Sequence, residues 1–223
     1  MRKQVIYFVR HGQTILNAKG IRQGPDGSLS EKGIEQAKRI AKRFPKEKGK
    51  PKVLIASPFQ RAKETAKIIA DELGMDIEYN DLLVERRNPK EIIGRSGEDR
   101  EVRAIVDLID KGYHEDDFRY SDEENFVDLK ERAKKLFKYI AKRPENQIIM
   151  VTHGIFLKMI AAYILQGEKL TASEYNKLSY LNPMDNAALT ICTHTTRLFR
   201  KDLWEILVWD DIPQEDLKRD AIH

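Results

Sequence analysis

The sequence predicts an α/β layered domain with a mainly parallel sheet. Three observations point there. Short apolar runs at 4–9, 52–56 and 147–152 read as buried strands. Stretches of helical period separate them, and strands alternating with helices build βαβ units. Two of the runs also end alike, in Arg10-His11-Gly12 and in Thr152-His153-Gly154. Parallel sheets put ligands in the crevice beyond the carboxyl ends of their strands, so two such ends suggest two imidazoles facing one pocket.

The elements follow in order. Val5 to Val9 is the first strand, ended by Arg10. The first helix is expected from about Ser30 to Phe44. Ser30 suits an N-cap and Glu31 complements the helix dipole. Ile34, Ala37, Ala41 and Phe44 recur at helical spacing, and Pro45 is placed to stop the run. After the strand at 52–56 comes a helix over Gln60–Leu73, with Ala62, Ala66, Ile69 and Leu73 on one face and Gly74 as its stop. A shorter strand is expected at 76–79. A helix over 125–142 carries Phe126, Leu129, Ala133, Leu136 and Ile140. The helix at 155–166 is apolar nearly all round, which predicts that it is largely buried. Further strands are expected at 187–193 and 204–209.

The stretch from Arg86 to Asn125 fits this alternation least. It is mixed in charge at first and acidic later. It reads either as an insertion packed over the carboxyl edge of the sheet, a cap on the pocket, or as a mobile loop on the side of the fold. With this insertion at about 86–125, residues 1–223 read as a single domain.

Composition narrows the function classes. The chain has 223 residues, 41% of them hydrophobic, enough for a sizeable core. Forty Lys and Arg stand against 36 Asp and Glu, a net charge of +4. The basic residues are interleaved with acids along the helices, which describes a solvated surface rather than a nucleic-acid stripe. The lone Cys192 rules out an internal disulfide and reads as a small strand residue. No Cys/His spacing suits zinc. The first apolar run is too short for a signal peptide or a membrane span, so a cytoplasmic protein is expected.

The chemistry starts from His11. A neutral imidazole is a nucleophile, and at a reference pKa near 6.5 much of it is neutral at pH 7. The guanidinium of Arg10 offers a donor fork suited to phosphate oxygens. Gly12 is expected to let the backbone approach a ligand closely. Arg61, in the first turn of the helix after 52–56, falls where backbone N–H groups and the helix dipole favour an anion. Glu85 follows the apolar triplet Leu82-Leu83-Val84. Partial burial there would hold a proton on its carboxyl for donation to a leaving oxygen. His153 can supply a second donor for phosphoryl charge.

These residues stand in a recognisable order. Arg10-His11-Gly12 with Thr14 and Asn17, Gln23-Gly24, Leu29-Ser30-Glu31-Lys32-Gly33, Gln36-Ala37, Ser57-Pro58 with Arg61 and Thr65, Glu85, and Thr152-His153-Gly154 resemble the histidine phosphatase superfamily. The match runs from residue 5 to about 165, and Trp209-Asp210-Asp211 resembles the family's last strand more loosely. The resemblance implies a three-layer α/β/α fold of the phosphoglycerate mutase-like kind. It implies that His11 attacks phosphorus and becomes a phosphohistidine. Arg10, Arg61 and His153 would clamp the phosphoryl oxygens, with Asn17 assisting. Gln23, the backbone at Gly24, and Gly154 would lie against phosphate or substrate. Glu85 would protonate the leaving alcohol and then activate water. No metal or other cofactor is implied.

The departures matter as well. Arg86 matches a substrate-binding arginine of the superfamily's mutases, but Arg87-Asn88-Pro89-Lys90 replaces their aromatic and glycine-rich continuation. A solvated loop charge is the other reading of Arg86, and of Arg87. Glu123-Glu124-Asn125 stands where many phosphatase members carry Gly-Glu-Ser. His114 and His194 are expected to be surface or hydrogen-bonded histidines outside the site. Gly94-Arg95-Ser96-Gly97 does not complete a phosphate-binding P-loop.

The function expected is therefore a phosphomonoester hydrolase acting on a small phosphorylated metabolite. The alternatives are a cofactor-dependent phosphoglycerate mutase, a protein phosphohistidine or phosphotyrosine phosphatase, and a non-catalytic phospho-ligand binding module. The expected partner is a small phosphoester, with no nucleic acid and no membrane. A homodimer is left open.

Overall fold

The computed structural model describes residues 1–44, 49–181 and 184–213. Its elements in order are β1 (Lys3–Arg10), α1 (Ile15–Ala18), α2 (Glu31–Ala41), β2 (Val53–Ala56), α3 (Gln60–Leu73), β3 (Ile77–Tyr79), α4 (Arg100–Gly112), α5 (Phe126–Lys142), β4 (Gln147–Thr152), α6 (Gly154–Gln166), α7 (Ala172–Leu181), β5 (Leu189–Thr195) and β6 (Leu203–Asp211).

The six strands form one sheet in the order β3-β2-β4-β1-β5-β6. β3, β2, β4 and β1 run parallel, and β5 is antiparallel to both of its neighbours. The chain leaves β1 and returns to β2 two places away. β4 later fills the slot between them, which brings residues 10 and 152 together.

Alternation along the strands divides the core into two layers. Ile6 and Phe8 of β1 and Ile148 and Met150 of β4 pack against α5 and α6. Val9, Ile149 and Val151 face the other way, against α2 and α3. The architecture is α/β/α, as expected. Phe156, Leu157, Met159 and Ile160 of α6 are fully buried. Each such side chain is worth about 1.5–3 kcal/mol relative to exposure, so the N-terminus of α6 is firmly placed beside β4.

The caps agree with the sequence in detail. Ser30 Oγ accepts from Gly33 N at 3.1 Å. Gly74 closes α3 with φ 62°, the left-handed region that glycine enters freely. α2 ends at Ala41 rather than Phe44, and Phe44 is still buried. Pro45 lies outside the described residues.

Two helices correct the sequence reading. The 86–125 stretch contains α4, capped by Asp99 and burying Val102 and Ile109. α7 follows α6, with Ala172 and Tyr175 buried. The 86–125 stretch also joins the loop after β1. Arg22 N donates to Arg95 O at 2.9 Å, Gly94 N to Arg22 O at 2.8 Å and Gly97 N to Gly20 O at 2.8 Å.

Candidate active site

The site lies where β1 and β4 end side by side. Arg10 is the register partner of Thr152, so His11 and His153 come next on adjacent strands. His11 N donates to Thr152 O at 3.0 Å. The His11 carbonyl accepts from Ala187 N at 3.2 Å and from Asn186 Nδ2 at 3.1 Å. The turn is thus pinned from both flanks before any ligand arrives.

Hydrogen-bond partners set the tautomers. His11 Nδ1 stands 2.8 Å from the Gly12 carbonyl, which can only accept, so Nδ1 carries the proton and Nε2 presents a lone pair. Arg61 Nε donates to His11 Nε2 at 3.2 Å and to His153 Nδ1 at 3.1 Å. His153 Nδ1 therefore accepts, and its Nε2 carries the proton toward Ser57 Oγ at 2.8 Å. One guanidinium N–H is shared between two imidazole lone pairs.

Both rings are buried, with His11 3% exposed and His153 fully covered. Burial pushes the pKa of each well below 6.5, and the charges of Arg61 and Arg10 push further in the same direction. Burial also lowers Arg61 to about 10, with Glu85 opposing the shift and Arg10 adding to it. Arg10 is lowered by burial, against the attraction of Glu85, Asp210 and Asp185. Its Nη1 donates to the Met184 carbonyl, while its Nε is buried without a partner. An orphaned guanidinium donor beside a neutral nucleophile is a place for an anion.

Helix α3, which follows directly on β2, brings Arg61 in on its first turn. Arg61 Nη1 donates to the Gly24 carbonyl at 2.8 Å. Thr65 Oγ1 donates to Arg61 O at 2.8 Å and accepts from Gly12 N at 3.1 Å, tying this helix to the nucleophile's turn.

Glu85 stands in surroundings that the sequence did not suggest. Instead of an apolar niche it meets three backbone donors. Ile155 N and Phe156 N reach it at 3.1 and 3.0 Å, and Arg86 N at 2.9 Å. It thereby caps α6, whose N-cap His153 gives no side-chain bond. Arg132 fixes the segment before it, donating to Val84 O at 2.6 Å and Leu82 O at 3.2 Å. Arg132 is in turn paired with Glu124 at 2.7 Å. Asn125 caps α5. Glu124 and Asn125 thus support the site's frame without lying on its wall.

A cavity of about 510 Å³ opens over these groups, lined among others by Arg10, His11, Arg61, Glu85, Asn17 and Gln23. Asn17 Oδ1 accepts from Thr14 N at 3.2 Å, and Gln23 Oε1 from Thr14 Oγ1 at 2.9 Å. Gly154 lines the cavity too, where an added Cβ would lie 3.2 Å from Arg10 Nε. His153 is not on the wall; Arg61 lies against it.

Other expectations change. At Gly12 an added Cβ would stand 2.4 Å from the Gly33 carbonyl oxygen, so this glycine serves close packing onto α2 rather than ligand approach. Gly24 holds Arg61 through its carbonyl and is not a wall residue. Arg86 is neither a wall residue nor a solvated loop charge. It is half-buried, donating to Tyr113 Oη at 3.1 Å and Asn88 Oδ1 at 3.2 Å, with its Nε buried and unpartnered. Arg87 is exposed and donates to the Asp122 carbonyl at 2.8 Å.

His194 and His114 stay outside the site, as expected. His194 is fully buried between Gln4 Oε1 at 2.8 Å and Asp202 Oδ2 at 2.9 Å. His114 is exposed. Cys192 is buried in β5, and burial pushes its thiol up to about 12. Arg22, Lys158 and Ser57 had no role in the sequence reading. Arg22 and Lys158 line the cavity and Ser57 orients His153. Only Ser57, directly after β2 and before Arg61, carried a signal. No helix of the described residues is long and apolar enough to cross a membrane.

Comparison with known proteins agrees with this geometry. A family profile described as "Histidine phosphatase superfamily (branch 1)" matches residues 6–207. A metal-independent phosphoserine phosphatase of Arabidopsis thaliana is 32% identical over 215 residues, covering 93% of this chain and 81% of that protein. A probable phosphoglycerate mutase of Erwinia tasmaniensis is 31% identical over 167 residues, covering 72% of this chain and 74% of the relative. Among solved structures, a mycobacterial glucosyl-3-phosphoglycerate phosphatase shares the fold at TM-score 0.73 and 24% identity, over 94% of this chain and 99% of that one. With the paired strand ends and the match to nearly the whole sequence in hand, the chain belongs to the histidine phosphatase superfamily.

Proposed function

We propose that this protein is a metal-independent phosphomonoester hydrolase that works through a phosphohistidine on His11. The observation that carries this reading is the shared Arg61 Nε–H, within hydrogen-bond distance of both imidazoles. A phosphoryl group entering between His11 and Arg61 takes that proton as its own donor and frees His11 Nε2 to attack.

The lone pair on His11 Nε2 forms the N–P bond as the ester P–O bond breaks. Glu85 takes a proton from the entering phosphomonoester monoanion and passes it to the departing alkoxide oxygen. Arg10, through its unpartnered Nε, and Arg61 balance the charge on the equatorial oxygens. His153 joins them once an anion beside it raises its proton affinity and Nδ1 gains a proton. Water then loses a proton to Glu85 and attacks phosphorus, the N–P bond breaks, and His11 is restored. Two arginines and two imidazoles supply the charge stabilisation that magnesium provides elsewhere.

The cavity's size suits a small phosphoester, because ligand pockets fall in the range of about 300–1,000 Å³. The Arabidopsis relative and the mycobacterial neighbour, both named as phosphatases of small molecules, support that reading. A mutase is the second reading, favoured by the Erwinia relative's name. Asn88-Pro89-Lys90 after Arg86 departs from the mutase pattern and argues against it.

The test is phosphate release from a panel of phosphorylated metabolites by the unaltered enzyme and by His11→Ala. Release that vanishes in the variant supports the reading. Equal release by both would remove His11 from the chemistry. Interconversion of phosphoglycerates faster than phosphate release, with a bisphosphoglycerate primer, would establish the mutase instead.

A further inference from the structure

The last strand carries an extra residue close to the site. Leu189 of β5 faces Asp211 of β6 and Ile191 faces Val208, so Trp209 and Asp210 together stand opposite Thr190. That is a β-bulge, a device that re-aims a side chain and is over-represented next to active sites. Asp210 takes the left-handed backbone there, with φ 50°, which aspartate tolerates better than most residues. Its N–H donates to Thr190 Oγ1 at 3.2 Å, and Thr190 is buried, so the bulge is held in place.

The bulge aims the Asp210 carboxylate at the turn before β5. Asp185 N donates to Asp210 Oδ1 at 3.1 Å and stands 3.4 Å from Oδ2. The same turn holds the end of the nucleophile's strand. Met184 O accepts from Arg10 Nη1, Asn186 Nδ2 and Ala187 N both donate to His11 O, and Ala188 O accepts from Arg10 N. Ala187 is itself left-handed, with φ 57°, and it is buried. Backbone strain of this kind persists only where the surroundings over-determine it. A carboxylate from another strand is one of those surroundings.

Arg10 depends on that turn most. Its Nε is left for an anion, while its Nη1 is anchored on Met184 O. The anchor sets where the guanidinium fork lies, and Met184 is the neighbour of the residue that Asp210 binds. A shift of the turn therefore moves the fork and the His11 carbonyl together. Misplacing reacting groups by about 1 Å can cost on the order of a hundredfold in rate. Asp210 does not line the cavity, so its effect on the chemistry passes through the turn.

We propose that Asp210 is a positioning residue for the reaction: its carboxylate, through the Asp185 N–H, fixes the 184–188 turn, and that turn sets Arg10 and His11 for the phosphoryl group. This rests on the hydrolase reading above. It gives a use to Trp209-Asp210-Asp211, a segment that the chemistry had left without one. The carboxylate also attracts the Arg10 charge across the turn. That attraction needs the charge and not the hydrogen bond, so two substitutions separate the effects.

The experiment compares Asp210→Gly with Asp210→Asn. Glycine keeps the left-handed backbone and removes the acceptor. Asparagine tolerates that backbone and keeps an acceptor oxygen, but loses the charge. kcat and KM are measured with p-nitrophenyl phosphate, and Ki for vanadate and for inorganic phosphate. Asp210→Gly should lower kcat by about a hundredfold with little change in KM. It should weaken vanadate, which resembles the pentavalent transition state, far more than phosphate. Asp210→Asn should stay within about tenfold of the unaltered enzyme on both readouts. An unchanged kcat and vanadate Ki in Asp210→Gly overturn the proposal, because the backbone of the bulge would then be all that Asp210 supplies. Equal losses in the two variants overturn it too, because the amide oxygen still accepts from Asp185 N. Absence of phosphate release from every substrate by the unaltered enzyme, p-nitrophenyl phosphate included, would instead overturn the hydrolase reading, and the vanadate Ki then decides on Asp210. Should Asp210→Gly fail to fold, NMR of the unaltered enzyme decides. As the Asp210 carboxyl gains its proton, the Ala187 N–H and Arg10 Nε–H signals should move with the midpoint of its own 13C shift. Signals that ignore that midpoint overturn the proposal.

Discussion

The ring centroids of His11 and His153 are 5.1 Å apart, one residue beyond a matched pair on adjacent parallel strands. That spacing is close to the strand separation itself, about 4.8 Å. Sheet register alone therefore brings the two imidazoles together, and Arg61 then fills the space both rings face.

A titration follows from this. Burial and two guanidinium charges hold both rings neutral well below the ordinary histidine range. In the ligand-free protein, imidazole 15N shifts of His11 and His153 should stay those of neutral rings as pH falls from 7.5 to 6. Vanadate or phosphate should bind with proton uptake. The sign for stability is also set. The unfolded chain protonates these rings near pH 6.5 and the folded one only at lower pH, so stability is lost as pH falls below about 6.5. Titration of both rings near 6.5 without ligand would contradict the geometry.

Glu85→Gln should separate leaving groups. Alkyl phosphates need a proton on the departing oxygen and activated aryl phosphates do not. The variant should slow the former by about 10²–10⁴ and the latter far less. Part of any loss of thermal stability would reflect the α6 cap, since one amide nitrogen would then face a backbone N–H. Equal slowing of both substrate types would take the acid role from Glu85.

Gly33→Ala tests the packing beneath the nucleophile. Its Cβ would stand 2.0 Å from the Gln13 carbonyl oxygen, in rigid backbone. Urea unfolding should show a loss of about 1–3 kcal/mol, as expected for overpacking. Activity should fall too, because Gln13 follows directly on His11-Gly12. An unchanged midpoint would mean the turn is looser than described.

Chelators should leave turnover unaltered. Charge stabilisation is assigned here to Arg10, Arg61 and His153, and a rate that falls with EDTA and returns with a divalent cation would overturn that assignment.

Much of this was legible in the sequence because it depends on short-range pattern. β1, β4 and α3 have bounded apolar runs with arginine or histidine next to them, so their ends could be placed within a residue or two. α4 is not predicted although Val102, Ile105 and Ile109 recur at helical spacing, because its flanks are so charged that the whole stretch reads as a cap insertion or a mobile loop. Glu85 was found, but its surroundings were not. Two of its three backbone donors come from Ile155 and Phe156, 70 and 71 positions on, and no local pattern announces them. The packing requirement at Gly12 is hidden for the same cause. What it packs against, Gly33, belongs to another element.

The most direct measurement is a rapid quench of enzyme with 32P-labelled substrate, followed by mapping of the labelled peptide. Catalysis through His11 predicts an acid-labile, base-stable phosphoryl group on residue 11 that forms and decays fast enough to carry turnover, and that is missing in His11→Ala. Steady hydrolysis with no protein-bound label at any time, or label on another side chain, would contradict it.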